Sequence, residues 1–242
     1  MRTPIDTPLI AVVIPALNEA EGIAQTIQRT RLALPNAKVF VIGGLSTDGT
    51  DAIALANGAT VIPCTERGKS AAIKKAFSAI NASVLCMLDA DGTYPPEDLR
   101  HMIQTLYHYR CGAVSGIRMT SGLKTINYFG NLFLTWLANI LYSKTNSSND
   151  LTSGMWVFAH GAYKAIVIDS EGFCLEANIF TELDRLNILL GGLYIPYGRR
   201  LGKSKLNKLD GIKIAWYLIR KRLAARGSQL ANETHGYHTE HD

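Results

Sequence analysis

The sequence predicts an α/β protein built on a doubly wound parallel sheet. Two observations carry that expectation. Short, β-branched apolar runs alternate with helical patterns over the first ~115 residues, the rhythm of strand and crossover helix. The polar and glycine-bearing segments fall just after the apolar runs, where such sheets bind ligands. A length of 242 residues with 47% apolar content suits one large domain with an extension.

The elements follow in order. Residues 9–14 form a continuous apolar run, as in a strand buried on both faces. Asn18-Glu19-Ala20-Glu21 starts a helix that carries Ile23 and Ile27. Residues 38–42 read as a second strand, and Asp48 is placed to cap a helix over 50–56. A short strand spans 60–63, and Gly68-Lys69-Ser70 opens an alanine-rich helix through 80. The fourth strand, 84–88, ends at Asp89-Ala90-Asp91. Pro95-Pro96-Glu97-Asp98 has the proline and acids of a helix start and leads into a helix over 99–109. Residues 113–117 are a fifth strand. The second half is less regular. Residues 127–142 are apolar and aromatic at helical spacing, 151–158 read as a strand, and 176–190 as a helix. A strand at 191–196 and a helix at 212–222 follow, so 1–226 form one domain and 227–242 a disordered tail.

Charge is unevenly spread. The formal net charge is +5, yet positions 199–226 hold ten of the 25 lysines and arginines against one acid, Asp210. A field of that kind suits a phosphate-rich ligand or an anionic membrane surface; a solvated helix face is the plainer alternative. The four cysteines show no metal spacing and read as small core residues in a reducing compartment. The start of the chain turns polar too soon for a signal peptide, and no run reaches the ~18 apolar residues of a membrane span. A cytoplasmic protein, peripheral to a membrane, is the expectation.

Among the motifs, Asp89 and Asp91 leave a strand end two residues apart and can turn toward one hard cation, magnesium or manganese. A loop acid and a helix cap is the plainer alternative. Lys69 at a helix start, among exposed N–H groups, makes a phosphate site, with a simple cap as its alternative. Gly202-Lys203-Ser204-Lys205 adds cations beside a glycine. Tyr128, Phe129, Phe133 and Trp136 form either a lipid-facing stripe or core packing. No Ser-His-Asp or Cys-His arrangement suited to nucleophilic catalysis is present.

Taken together, VVIPALNEAEGI, STDGT, RGKSAAIKKAF, LDADGTYPPEDL, DLTSGMWVF and RRLGKSKLN resemble glycosyltransferase family 2. The resemblance runs from about Ile10 to about Asp210, in the family's order. It is nearest to the dolichyl-phosphate and polyprenyl-phosphate sugar synthases. It implies a GT-A fold, a Rossmann-like, mostly parallel sheet flanked by helices. It implies metal-dependent inverting transfer from a GDP- or UDP-sugar to a polyprenyl or dolichyl phosphate at the cytosolic membrane face. By the same resemblance Pro15, Ala16, Asn18 and Glu19 match the nucleotide-binding strand end, and Lys69 the lysine of a GKG-like segment. Asp89 and Asp91 match the metal pair, with Mg2+ or Mn2+ as cofactor. Arg118 matches an arginine near the acceptor phosphate and Asp150 an acid near the reaction centre. Arg200, Ser204 and Lys205 match a segment that closes over phosphates.

One departure stands out. The family's usual VDDGSTDGT is here Val41-Ile42-Gly43-Gly44-Leu45-Ser46-Thr47-Asp48-Gly49-Thr50, with glycine for both acids. Thr93 also stands where many relatives carry glutamine. The resemblance then implies altered donor recognition with catalysis kept. Two other readings stay open: transfer to a soluble or polysaccharide acceptor, and a non-catalytic nucleotide-sugar-binding module. Nucleic acid would use the same basic cluster but leave the paired acids without a role, so none is expected.

Overall fold

A computed structural model of the chain describes residues 9–119, 125–142, 145–202 and 209–236. The first half alternates as the pattern predicts: β1 (Ile10–Pro15), α1 (Ala20–Ala33), β2 (Lys38–Gly43), α2 (Thr50–Ala56), β3 (Thr60–Pro63), α3 (Lys69–Ala79), β4 (Val84–Met87), α4 (Leu99–His108) and β5 (Ala113–Arg118). Then come α5 (Thr125–Tyr142), β6 (Trp156–Ala159), α6 (His160–Ala165), α7 (Leu175–Arg185), β7 (Leu190–Ile195) and α8 (Asp210–Gly236).

The seven strands form one sheet in the order β3-β2-β1-β4-β6-β5-β7. β6 runs antiparallel to both of its neighbours, and the other pairings are parallel. The sheet is buried on both faces because alternate residues of β1 enter different cores. Val12 and Ile14 pack under α1 and α4, whereas Ala11 and Val13 pack with α3 and α7. A third cluster joins Leu134, Ala138 and Tyr142 of α5 to Ile214, Tyr217 and Leu218 of α8. The order in which successive strands are added reverses at β1, with β2 and β3 on one side and β4 on the other, all parallel. The ends of β1 and β4 therefore frame the crevice in which such sheets bind ligands.

Three expectations need correction. The strand read at 151–158 is only Trp156–Ala159, because the backbone before it serves side chains instead of a ladder: the Gly154 amide donates to the Tyr94 hydroxyl and the Thr152 amide to Asn131. The helix read at 176–190 stops at Arg185, where Asn187 turns left-handed at φ 53° and frees the chain to enter β7. The helix at 212–222 is longer, from Asp210 to Gly236, so it runs through the start of the segment read as a tail from 227. The cysteines are as expected: all four are free, and Cys86, Cys111 and Cys174 are buried.

The seat of α1 is tight. Gly22 is buried, and a Cβ there would lie 2.6 Å from the Ala90 carbonyl oxygen, while the Thr26 hydroxyl donates to that same oxygen at 3.1 Å. Gly22→Ala should therefore cost about 1–3 kcal/mol by overpacking. Chemical denaturation measures it, and an unchanged midpoint would mean that α1 does not rest on the loop after β4.

Candidate active site at the strand ends

The turn after β1 is stapled to the turn after β2. The Ala16 amide donates to Ile42 O at 3.0 Å, and the Asn18 amide to the Ser46 hydroxyl at 3.1 Å. Asn18 Oδ1 accepts from the Thr47 amide at 2.8 Å. Asp48 caps both helices, accepting from the Ala20 amide through Oδ2 and from the Thr50 amide and hydroxyl through Oδ1. Burial acts to raise the Asp48 carboxyl, but those hydrogen bonds outweigh it and hold the group below its ordinary range. Pro15, Ala16 and Asn18 thus shape the strand end through their backbone and the Asn18 amide group.

Gly43 and Gly44 do not leave a gap. The Asp51 carboxylate, from α2, lies over them: Oδ2 accepts from the Gly44 amide at 2.9 Å, and a Cβ on Gly43 would collide with Oδ1. That Oδ1 is buried and has no hydrogen-bond partner among the described residues. An acid therefore returns to the end of β2 from eight positions further along, a substitution that no local motif announces.

The centre of the site is the exit of β4, where each of the two carboxylates has a base of its own. Asp89 Oδ1 lies 2.6 Å from Lys69 Nζ at the start of α3. The same ammonium donates to Glu176 Oε1 at 2.7 Å, at the start of α7. Burial would lower the Lys69 pKa; the pull of Asp89, then of Glu176, more than reverses it and holds the ammonium well above its ordinary range. Asp91, 2% exposed, accepts from the Thr93 amide and hydroxyl through Oδ1, and its Oδ2 meets Arg200 Nη1 at 2.7 Å. Arg200 Nη2 also reaches Glu19 Oε1 at 3.4 Å, and its Nε is buried without a hydrogen-bond partner among the described residues. The backbone of this loop is zipped to the exit of β4, Gly198 N to Thr93 O and Leu201 N to Asp91 O. Thr93 thus serves as a hydroxyl brace for Asp91.

A second cluster lies beyond the end of β5. Arg118 grips Asp150 with Nε at 2.7 Å and Nη2 at 2.6 Å, and Nη2 also donates to the Thr152 hydroxyl. Asn131, on the inward side of α5, donates to Asp150 Oδ1 at 2.9 Å and accepts from Thr152. The Arg118 guanidinium sits 5.3 Å from the Tyr197 ring, and Tyr197 packs edge-on against Tyr94. Tyr94 accepts from the Gly154 amide, and a Cβ on Gly154 would collide with Asp89 Oδ2, so bare backbone at 154 makes room for that carboxylate.

The structure thus gathers Glu19, Lys69, Asp89, Asp91 and Arg200 into one cluster and Arg118 with Asp150 into another. Ser204 and Lys205 lie outside the described residues. Lys69, read as a phosphate site at a helix start, and Arg200, matched by resemblance to a segment that closes over phosphates, are engaged by carboxylates here. Sequence reading missed Glu176, Gly154, Tyr94, Tyr197, Asn131 and Thr152. Only Glu176 left a trace, as an acid in the first turn of a helix that is buried nearly throughout.

Among the described residues, no three His, Cys, Asp or Glu side chains converge as a complete metal cage. The donor set still fits a divalent cation of the magnesium type, which takes one or two carboxylates and completes its shell from water and phosphate. Four carboxylates (Glu19, Asp89, Asp91, Glu176) face two bases (Lys69, Arg200), a formal net charge of −2.

The Asp51 substitution has a measurable consequence. Gly43→Asp should destabilise the protein by about 1–3 kcal/mol, because a Cβ there would collide with Asp51 Oδ1 and the new side chain carries like charge. Adding Asp51→Gly should recover most of the loss in urea melts, and an additive double variant would refute the exchange.

Comparison with known proteins accords with this geometry. Residues 11–167 match the model of glycosyl transferase family 2. The chain is 30% identical over 222 residues to the low-salt glycan biosynthesis hexosyltransferase Agl6 of Haloferax volcanii, covering 88% of this chain and 53% of that protein. The chain thus spans about half the length of that relative. It is 28% identical to the polyprenol monophosphomannose synthase of Mycolicibacterium smegmatis, over 89% of each chain. It is 26% identical to the undecaprenyl-phosphate mannosyltransferase of Micrococcus luteus, over 82% of this chain and 87% of that one. In fold, it superposes with a TM-score of 0.72 at 19% identity on glucosyl-3-phosphoglycerate synthase of Mycobacterium tuberculosis, solved with Mn2+, UDP and product, over 90% of this chain and 80% of that one. The sheet order, the paired acids after β4 and the family match over 11–167 together establish that this GT-A-fold chain belongs to glycosyltransferase family 2.

Proposed function

We propose that the protein transfers a hexose from a nucleoside-diphosphate sugar to a polyprenyl phosphate at a membrane surface. One observation carries this reading: the reaction centre and an exposed apolar face share helix α5. Its inward Asn131 holds Asp150, while Phe129, Leu132, Phe133, Trp136 and Ile140 point outward, each between 52% and 61% exposed. The helix contains no charged residue. On the adjacent α8, Ile212, Trp216 and Leu223 are more than 60% exposed, with Arg220 and Arg222 on the same helix. Apolar anchors flanked by cations suit an anionic bilayer surface. A soluble acceptor gives such a face no role. No helix among the described residues is long and apolar enough to cross a membrane. The names of the relatives that act on undecaprenyl phosphate and polyprenol support the same acceptor class.

The donor would lie across the ends of β1, β2 and β4, with its diphosphate toward Asp89, Asp91 and Arg200. A divalent cation held by Asp89 and Asp91, magnesium or manganese, would offset the negative charge that grows on the departing nucleoside diphosphate. Arg200 would exchange Asp91 for a phosphate oxygen and add its own charge there. Asp150 pre-orients Arg118 through two short bonds, so the guanidinium has a set direction before the acceptor phosphate arrives. The acceptor phosphate oxygen attacks the anomeric carbon from the face opposite the diphosphate. One carbon–oxygen bond forms as the other breaks, and the configuration inverts. A phosphate monoester is already largely ionised at neutral pH, so no side chain has to remove a proton. That accords with a site in which, among the described residues, no histidine takes part.

Two outcomes are expected. Asp91→Ala or excess EDTA should lower transfer from UDP- or GDP-hexose to a polyprenyl phosphate by at least about a hundredfold, measured with radiolabelled donor. Full activity in either case would exclude the metal assignment, and equal transfer to water-soluble acceptors would exclude the lipid one. Replacing Phe133 and Trp136 together by serine should lower co-sedimentation with phosphatidylglycerol vesicles about tenfold or more. Equal retention would place the membrane contact elsewhere.

A further inference from the structure

We propose that Glu176 is a positioning residue that sets the cation affinity of Asp89 by sharing Lys69. This role rests on the reading of Asp89 and Asp91 as a cation site.

The geometry is specific. Lys69 Nζ lies 2.6 Å from Asp89 Oδ1 and 2.7 Å from Glu176 Oε1, so one ammonium is divided between two carboxylates. All three side chains are largely withdrawn from water, with side-chain exposures of 19% for Lys69, 29% for Asp89 and 10% for Glu176. The two helix starts that carry Lys69 and Glu176 are braced against each other. The Ser70 hydroxyl meets the Ser170 hydroxyl at 3.0 Å and the Gly172 carbonyl at 3.4 Å, just before α7. Glu176 is thereby fixed where it can divert Lys69, yet it is not one of the two carboxylates at the exit of β4.

The charge count gives this arrangement a function. Asp89, Lys69 and Glu176 sum to −1. Without Glu176, the ammonium belongs to Asp89 alone, and the pair becomes neutral and closed to a second cation. With Glu176, half of the ammonium's hydrogen bonding is drawn away and Asp89 keeps net negative charge to offer. The effect is strong because the groups lie in a poorly solvated pocket, where one charge at about 5 Å is weakly screened. Glu176 need not touch the cation to act in this way.

The test is a titration of Mn2+ alone into nucleotide-free protein, followed calorimetrically, with thermal melts to establish folding. Glu176→Gln should bind Mn2+ roughly tenfold more weakly than the wild type, and Lys69→Met roughly tenfold more tightly. The double variant should bind within about threefold of Lys69→Met, because Glu176 has nothing to divert once Lys69 is gone. A purely structural role for Glu176 predicts that its loss weakens binding in the Lys69→Met background as well. If Glu176→Gln alone does not fold, Lys69→Met and the double variant still decide the matter, since both must bind more tightly than the wild type and match each other. Unchanged affinity in Glu176→Gln, or a double variant roughly tenfold weaker than Lys69→Met, overturns this role alone. A wild-type protein that takes up no Mn2+ overturns the cation reading, and this role with it.

Discussion

Two carboxylates at the end of a buried strand repel each other, and the architecture of the site follows from how that repulsion is relieved. Asp89 and Asp91 each receive a base from a different part of the chain, Lys69 from α3 and Arg200 from the loop after β7. Each base is in turn bracketed by a second acid, Glu176 or Glu19. Buried charges left unpaired would cost several kcal/mol each, so these contacts are conditions for the fold as well as for the chemistry. The backbone is kept bare where it must approach: Gly22 under Ala90, and Gly154 against Asp89.

The relief is incomplete in a useful way. Four acids and two bases leave the cluster negative, suited to a divalent cation and a diphosphate together and less suited to a diphosphate alone. The neighbouring Arg118–Asp150 pair is, by contrast, internally balanced and is held by Thr152 and Asn131. Asn131 belongs to α5, whose other side is apolar and exposed. One helix thus joins an electrostatically tuned centre to an exposed apolar face. The proposed transfer, from a water-soluble donor to a lipid acceptor, would use both.

Much of the fold was legible because its signal is local. Strands such as β1 and β4 are short, β-branched runs whose burial on both faces makes every residue apolar. The starts of α2 and α3 were marked by Asp48 and by Gly68-Lys69. What escaped was decided by long-range pairing. The antiparallel insertion of β6 between β4 and β5 has no periodic signature, and neither does the loss of ladder structure at 151–155, whose backbone is claimed by Tyr94 and Asn131. The helical pattern continues beyond Arg185, and only the left-handed turn at Asn187 ends it.

The sequence by itself determined the alternation of strands and helices, the two acids at the exit of β4 and the basic and aromatic segments of the second half, since each is written in neighbouring residues. Only the tertiary structure decided who pairs with whom. Lys69 and Glu176 are 107 positions apart and Arg200 and Glu19 are 181 apart, so no spacing rule connects them. The same holds for the end of β2, where two glycines read as lost acids until the fold brings the Asp51 carboxylate over them. Electrostatic partners are chosen by distance through space, and a chain records that distance only once it is folded.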